Sequence, residues 1–436
     1  MFRDTTTRIL FAAIAASILT GCASQKSIEE KAYRDAMRDM ALEQMARRDS
    51  AEAARFVVQP RQLTADERWP ERVTQRIDSA LADTACLRFL TAVSIYDITA
   101  DKTVYRLNEQ VRMRPASTEK LVTAIAVLDM LGPDYTLDTR VLTRGTLRGG
   151  VLSGDLWIVG AMDPVMDKDD LRSLCRAISS AGVRRVDGHV YVDLGLKDED
   201  KFGWGWCWDD KNPTLTPLLL GGKPDFISLL PAQLRAAGIS LSHAAIKQSA
   251  VPGDAQLLVQ QCRPLIEVME PMMKKSDNLY AECVFYQLAT LTGKRMATHE
   301  DVAAVVNQVI NRAGASSCHV QVADGSGLSL YNYQTAETYI SLLRYIHAKP
   351  EAYEMLRLVL PIAAVDGTLK NRMAGTAAAE NVRAKTGTVT GVSTLTGYTT
   401  CHTTGHLLAF AILTNGVEQG SIGRALQDKI CIAISE

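Results

Sequence analysis

Three short stretches, far apart in a chain of 436 residues, constrain what it can become: Ser117-Thr118-Glu119-Lys120, Ser276-Asp277-Asn278 and Lys385-Thr386-Gly387. Each alone is weak, since a serine followed three residues later by a lysine arises about once by chance in a chain of this composition. Together, in this order, they require a fold that brings a helix start, a second helical segment and a strand to one point. Hydroxyl, amine and amide groups gathered in this way suit acyl transfer through a serine.

The chemistry explains the residue types. A serine hydroxyl is a poor nucleophile until a nearby base takes its proton. Residues three apart on a helix share a face, so Lys120 is expected beside Ser117. A lysine acts as base only when neutral, and moving its pKa from ~10.4 to about 7 requires roughly 4–5 kcal/mol of differential interaction. Burial supplies part of that shift, and a second ammonium, here Lys385, is expected to supply more. Donors must also face the tetrahedral oxyanion; the backbone N–H groups of Ser117 and Thr388 are the candidates. Gly387, after Thr386, is expected to keep its strand edge bare so that a substrate backbone can lie along it. Ser276 can relay a proton to the leaving nitrogen, and Asn278 can hold a substrate amide while touching Lys120.

Charge is nearly balanced, 48 basic against 49 acidic residues, so no nucleic-acid partner is expected. Residues 1–22 read as a signal peptide. Arg3 and Arg8 give a basic start, and Ile9 to Leu19 form an apolar run too short to span a bilayer as a mature helix. Leu19-Thr20-Gly21-Cys22 resembles a bacterial lipoprotein signal, with Cys22 as the acylated new N-terminus; a plain secretory signal is the alternative. Several acyl chains on one cysteine hold a protein to a membrane where a single chain does not. The expectation is a lipid anchor in a membrane of the bacterial cell envelope, with the body in the periplasm. Eight further cysteines permit disulfides in an exported chain, though burial as free thiols is the competing reading. No Cys-x-x-Cys pair occurs, and neither a structural metal nor a cofactor is expected.

Residues 23–69 read as a helical stalk or linker, with Tyr33, Met37, Met40 and Ala41 at helical spacing. If fully helical, some 40 residues would reach on the order of 60 Å. Residues 70–140 and 256–436 read as the main domain, and 141–255, with Gly-rich strand pairs and Trp204, Trp206 and Trp208, as an inserted one. Helices are predicted at 71–85, from Pro115 to Met130, from Pro264 to Leu291 and from about Ser421. Strands are predicted at Thr91–Ile98, Val104–Leu107, Val382–Thr386, Ser393–Thr400 and Leu407–Leu413. Such a pattern fits an α/β (α+β) sheet with helices on both faces. Ser117 would then start a central helix whose buried face carries Leu121, Ala124, Ile125 and Leu128, and Lys385 would lie on an edge strand.

Longer matches surround the three motifs: Arg114-Pro115-Ala116-Ser117-Thr118-Glu119-Lys120, Gly154-Asp155-Leu156 with Asp163-Pro164, and Lys275-Ser276-Asp277-Asn278-Leu279-Tyr280-Ala281-Glu282. Asp324-Gly325-Ser326-Gly327-Leu328-Ser329, Asp366-Gly367-Thr368-Leu369 and Arg383-Ala384-Lys385-Thr386-Gly387-Thr388 match as well. In these the chain resembles class C low-molecular-mass penicillin-binding proteins, the D-alanyl-D-alanine carboxypeptidase/endopeptidases. The resemblance, over roughly 90–436, implies the penicillin-binding/serine β-lactamase-like transpeptidase fold with one inserted domain. It implies a serine enzyme that cleaves the terminal D-Ala–D-Ala bond of peptidoglycan stem peptides, or their D-Ala–diaminopimelate cross-link. It also implies covalent capture by β-lactams. Two departures stand out. The stretch between Ser117 and Ser276 has room for one inserted domain where relatives often carry two. Leu330 stands where several relatives place an arginine that binds a side-chain carboxylate, leaving Asp163 as a candidate contact for that side chain.

Other readings compete. A serine β-lactamase shares the acylation residues, although no separate glutamate for water activation is evident. A non-enzymatic, wall-binding lipoprotein would keep the motifs idle. Asp277 reads as structural, Ser326 as part of a turn, and His402 and His406 as a hairpin rather than a metal site. The three tryptophans are expected to pack inside the inserted domain, with a sugar-stacking platform as the alternative.

Overall fold

Alternation along two neighbouring strands builds the centre of the molecule. Val93 and Ile95 share one apolar cluster with Phe410 and Ile412, while Ala92 and Tyr96 share another with Ala409 and Ala411. With a side-chain period of two, that arrangement puts a packed layer on each face of the sheet.

The computed structural model describes residues 69–83 and 86–436. The signal, Cys22 and the stalk up to residue 68 lie outside the described residues. The described residues begin with α1 (Trp69–Leu81), β1 (Leu90–Asp97), β2 (Lys102–Leu107) and α2 (Glu119–Met130). An excursion follows through β3 (Thr136–Arg148), β4 (Val151–Val159), α3 (Lys168–Ser180), β5 (Arg185–Val186), β6 (Val190–Asp193), α4 (Phe226–Ala236), β7 (Ser240–Leu241), β8 (Ile246–Gln248) and β9 (Gln256–Pro264). Then come α5 (Leu265–Glu270), α6 (Asn278–Phe285), α7 (His299–Arg312), α8 (Ala336–His347) and α9 (Pro350–Val359). The chain closes with β10 (Arg383–Val389), β11 (Val392–Thr400), β12 (Leu407–Asn415) and α10 (Gly420–Ser435).

The first sheet is antiparallel, in the order β10-β11-β12-β1-β2. Helices α1 and α10 cover one face through Val73, Ile77, Leu426, Ile430 and Ile434. Helices α2 and α8 cover the other through Leu121, Ile125, Tyr339 and Leu343. Every residue of α2 from Glu119 to Leu128 is buried, not only the four on the expected stripe. A helix enclosed on all sides is hydrophobic all round, and Leu121, Val122, Ala124, Ile125, Ala126, Val127 and Leu128 make this one so.

A second sheet, β7-β5-β4-β3-β9 with β6 and β8 attached, packs against α3 and α4 over its own apolar cluster. Its long outer strand pair runs from Thr136 opposite Pro264 to Thr143 opposite Gln256. The excursion therefore begins before 141 and ends after 255, because β3 and β9 close it by pairing with each other. The expected continuous helix over 264–291 is broken. A π-helical turn at Pro271–Lys275 ends at Ser276, which is left-handed with φ 60°, before α6 starts at Asn278. None of the eight described cysteines forms a disulfide, and Cys86, Cys175, Cys283, Cys401 and Cys431 are buried. Among the described residues no helix is long and apolar enough to cross a membrane.

Trp69, which composition assigned to the linker, is 3% exposed and packs in the cluster under the sheet. Its replacement by alanine is expected to cost about 3–5 kcal/mol through the cavity it leaves. A denaturant titration reads that loss, and a midpoint unchanged from the parent protein would show that Trp69 is peripheral.

Candidate active site

Ser117 sits in a single 3-10 turn, Ala116–Thr118, that leads directly into α2. Thr118 fixes the turn from below: its Oγ1 donates to the Pro115 carbonyl at 2.7 Å and meets Tyr339 Oη at 2.9 Å. Thr394 Oγ1 on β11 donates to the same carbonyl at 2.7 Å. The hydroxyl-bearing turn is thereby tied to the sheet and to α8, while Ser117 itself stays half-buried and reachable.

One turn on, Lys120 is fully buried and its Nζ has three oxygen neighbours. They are Ser117 Oγ at 3.1 Å, Asn278 Oδ1 at 2.7 Å and the Ser326 carbonyl at 2.7 Å. Two of the three can only accept, so in a neutral amine they take the two N–H bonds. The remaining lone pair then faces the Ser117 hydroxyl. Burial pushes the amine down to about 8, against the pull of the Asp324, Glu282, Asp277 and Glu119 carboxyls. Lys385 was expected to help lower Lys120, but the interaction is felt on Lys385. Buried and facing Lys120, it lies well below its ordinary range.

Lys385 Nζ reaches Ser276 Oγ at 2.8 Å and the Thr386 carbonyl at 2.7 Å. The left-handed backbone at Ser276 allows this, since it turns the chain between two helices and points the hydroxyl at β10. Asp277 caps α6 by accepting from the Tyr280 amide at 3.2 Å, which is the structural part read for it. The site thus holds two hydrogen-bonded groups, Ser117-Lys120-Asn278 and Ser276-Lys385, and the two amines are close enough for Lys120 to lower Lys385 electrostatically.

Strand β10 is the free edge of its sheet. The Ala384 amide donates away from β11, to the Pro361 carbonyl at 3.0 Å. Strand alternation then turns the backbone groups of Thr386 and Thr388 toward the same open side, where an extended peptide can pair. Thr386 Oγ1 is held by Thr368 Oγ1 at 2.7 Å. Gly387 has a different purpose from the one expected. A Cβ there would lie 2.2 Å from Thr394 Oγ1, 2.6 Å from the Pro115 carbonyl and 2.9 Å from the Thr118 amide. The glycine lets the strand press against the Ser117 turn, and the bare edge follows from strand order.

The loop that supports Lys120, read from the sequence only as a turn at Ser326, is held by buried carboxylates. Asp324 is 1% exposed and accepts from the amides of Gly327 and Ser329, from Asn332 Nδ2 and from Trp206 Nε1, each at 2.7 Å. Glu282, also buried, accepts from the Gly325 amide at 3.1 Å, and Thr123 Oγ1 donates to the Gly325 carbonyl at 2.8 Å. These bonds hold the Ser326 carbonyl against Lys120. Gly327, with φ 77°, is required because a Cβ would lie 1.9 Å from the Ala116 carbonyl. Burial raises the Glu282 carboxyl to about 8 and the Glu119 carboxyl well above its usual range. The signal for both lay within the quoted stretches, but a carboxylate's burial cannot be read from its letter.

A cavity of about 660 Å³ opens beside Asn278, lined by Asp277, Leu279, Tyr280, Pro164, Val165, Lys211 and Gly222 among others. Asp163 is not free to meet a substrate there. It is 4% exposed, pairs with Arg263 Nε at 3.1 Å and accepts from the Val165 amide at 2.9 Å. The tryptophans also depart from expectation: Trp206 bonds to Asp324 outside the second sheet, Trp204 stacks on His299, and Trp208 is 93% exposed. His406 lies in the β11–β12 connection and its Nδ1 meets Asp97 Oδ2 at 2.7 Å.

With this geometry in place, the chain matches the D-Ala-D-Ala carboxypeptidase 3 (S13) family over residues 73–218 and 221–434. It is 26% identical to the D-alanyl-D-alanine carboxypeptidase DacB of Haemophilus influenzae, over 75% of this chain and 85% of that protein. It is 27% identical to the D-alanyl-D-alanine carboxypeptidase of an Actinomadura species, over 83% of this chain and 84% of that protein. In three dimensions it is similar to penicillin-binding protein 4 of Haemophilus influenzae, with a TM-score of 0.71, 22% identity, and coverage of 82% of this chain and 97% of that one.

Proton removal from Ser117 needs Lys120 neutral, so acylation by a penicillin is expected to rise with pH and level off above about 8. Lys120→Arg keeps a charge at all working pH values and should lower the rate by about 10²–10⁴-fold. Stopped-flow acylation across pH 6–10 measures both; a flat profile in the parent protein would exclude Lys120 as the base.

Proposed function

Because this chain belongs to the D-Ala-D-Ala carboxypeptidase 3 (S13) family and is a serine-type D-Ala-D-Ala carboxypeptidase, we propose that it trims peptidoglycan stem peptides through an acyl-enzyme on Ser117. The observation that carries this assignment is a fully buried amine, Lys120 Nζ, 3.1 Å from Ser117 Oγ. In the proposed sequence Lys120 takes the Ser117 proton as Oγ attacks the carbonyl of the penultimate D-Ala. The negative charge on that oxygen falls between the N–H groups of Ser117 and Thr388. The C–N bond then breaks as the Lys120 ammonium gives up the proton it took, which reaches the departing D-Ala nitrogen by way of the Ser276 hydroxyl; Ser276 is hydrogen-bonded to Lys385. Asn278 orients the substrate amide next to Lys120, Thr386 and Gly387 align the peptide along β10, and water later hydrolyses the ester.

The same site acts, in this proposal, as a D,D-endopeptidase. The open β10 edge and the cavity beside Asn278 leave room for the second stem peptide of a cross-link. β-Lactams, whose strained amide presents the same carbonyl, acylate Ser117 and block it. The signal ending in Leu19-Thr20-Gly21-Cys22 supports a lipid anchor on Cys22, with the body in the periplasm of the cell envelope.

Incubation of the full-length protein with a stem pentapeptide is expected to release D-alanine, and Ser117→Ala to abolish the release. No release from the folded parent protein would refute the assignment. Mass analysis of digested cross-linked muropeptides tests the endopeptidase step by the loss of dimers. Cys22→Ser is expected to move the protein from the membrane fraction to the soluble one; the anchor is disproved if the two proteins fractionate alike.

A further inference from the structure

The described residues leave four large aromatic side chains exposed, three of them within the segment 202–208 and the fourth in contact with it. Phe202 (55%), Trp204 (45%) and Trp208 (93%) belong to one short segment, and Tyr331 (47%) sits against Trp204 with ring centroids 4.8 Å apart. Rings exposed as a group mark a contact surface, whereas isolated ones do not. The segment is not a loose loop. Trp206 anchors its middle to Asp324, and Gly205, at φ 76°, lies so close that a Cβ would be 2.4 Å from the Tyr331 ring. Trp204 is backed by the His299 ring at 5.1 Å and 20°, which holds its plane in a fixed orientation.

Two observations identify the occupant. The same segment continues into Lys211 and Asn212, which line the cavity beside Asn278, so the stretch that carries three of the rings also borders the site. Its charge is also negative: Asp198, Glu199, Asp200, Asp209 and Asp210 stand against Lys197, Lys201 and Lys211, with Lys197 buried and paired to Asp198. That balance repels anionic lipid headgroups and suits a neutral polymer. A stem peptide hangs from a glycan strand, and the C–H face of an N-acetylated pyranose stacks on a planar ring while its hydroxyls stay in water.

We infer that Phe202, Trp204, Trp208 and Tyr331 form a carbohydrate-stacking platform that holds the glycan strand carrying the peptide under attack. The platform rests on the peptidase assignment for its substrate, yet its binding can be measured without turnover. The full-length protein, in detergent, is titrated with oligomers of N-acetylglucosamine, which present the same N-acetylated pyranose faces without a carboxylate, followed by tryptophan fluorescence and calorimetry. Trp208→Ala and Trp204→Ala/Trp208→Ala are compared, the first chosen because so exposed a ring is not needed for folding. Each is expected to weaken glycan binding by about five- to ten-fold. The rate on intact sacculi relative to free pentapeptide should fall by a similar factor. An unbound glycan, or an unmoved ratio of rates, overturns the platform. So does a variant that loses only binding to anionic vesicles or only self-association, since the patch then serves a membrane or a second copy. Absence of D-alanine release from both substrates in the parent protein would instead strike the peptidase assignment, leaving the glycan titration to decide the platform.

Discussion

A lysine amine without access to water organises the centre of this protein. Lys120 lies inside a helix that is buried on every side, and an isolated ammonium there would be heavily penalised. The structure answers by surrounding Nζ with the oxygens of Ser117, Asn278 and Ser326, which satisfy the amine whether or not it carries its extra proton. The balance is narrow. Desolvation lowers the affinity for the proton, nearby carboxyls raise it, and the outcome lies close to neutrality. Two of those carboxyls, Glu119 and Glu282, are themselves driven upward by burial, which weakens their hold on the ammonium.

Placing three oxygens around one nitrogen demands backbone that most residues avoid. Ala116 at φ 48° and Ser276 at φ 60° are both left-handed without being glycine, and each adjoins or carries a site hydroxyl. Strain of about 1–3 kcal/mol at such positions persists only where the surroundings determine the conformation. Here Thr118, Thr394 and Tyr339 clamp the first. Lys385 holds the second from the opposite strand. Asp324 performs the same office for the loop bearing the Ser326 carbonyl, and through Trp206 it joins that loop to the segment leading into the second sheet.

Much of the frame was legible because it depends on local pattern. The apolar runs Thr91–Ile98 and Leu407–Leu413 marked strands of the first sheet, and the spacing from Ser117 to Lys120 marked one helical turn. What escaped were features that arise between distant segments. The helix predicted through 264–291 gives way at the Ser276 motif, because Ser276 must reach Lys385, which no local propensity encodes. Trp206 was expected to pack inside the inserted domain, yet its N–H finds the buried Asp324. Asp163 matched a motif, but its carboxylate is occupied by Arg263, a hundred positions further along the chain.

The amino-acid sequence by itself determined the chemistry on offer: a hydroxyl, two amines, an amide and a strand edge, in an order that one fold can gather. It also determined the family, because the longer stretches around those groups leave little freedom. Only the tertiary structure decided which protonation state each group favours. That depends on solvent exclusion and on the charges of Asp324 and Asp277, remote in sequence and adjacent in space. Burial and field are properties of the assembled interior, and they come into being only when helix, break and strand have packed together.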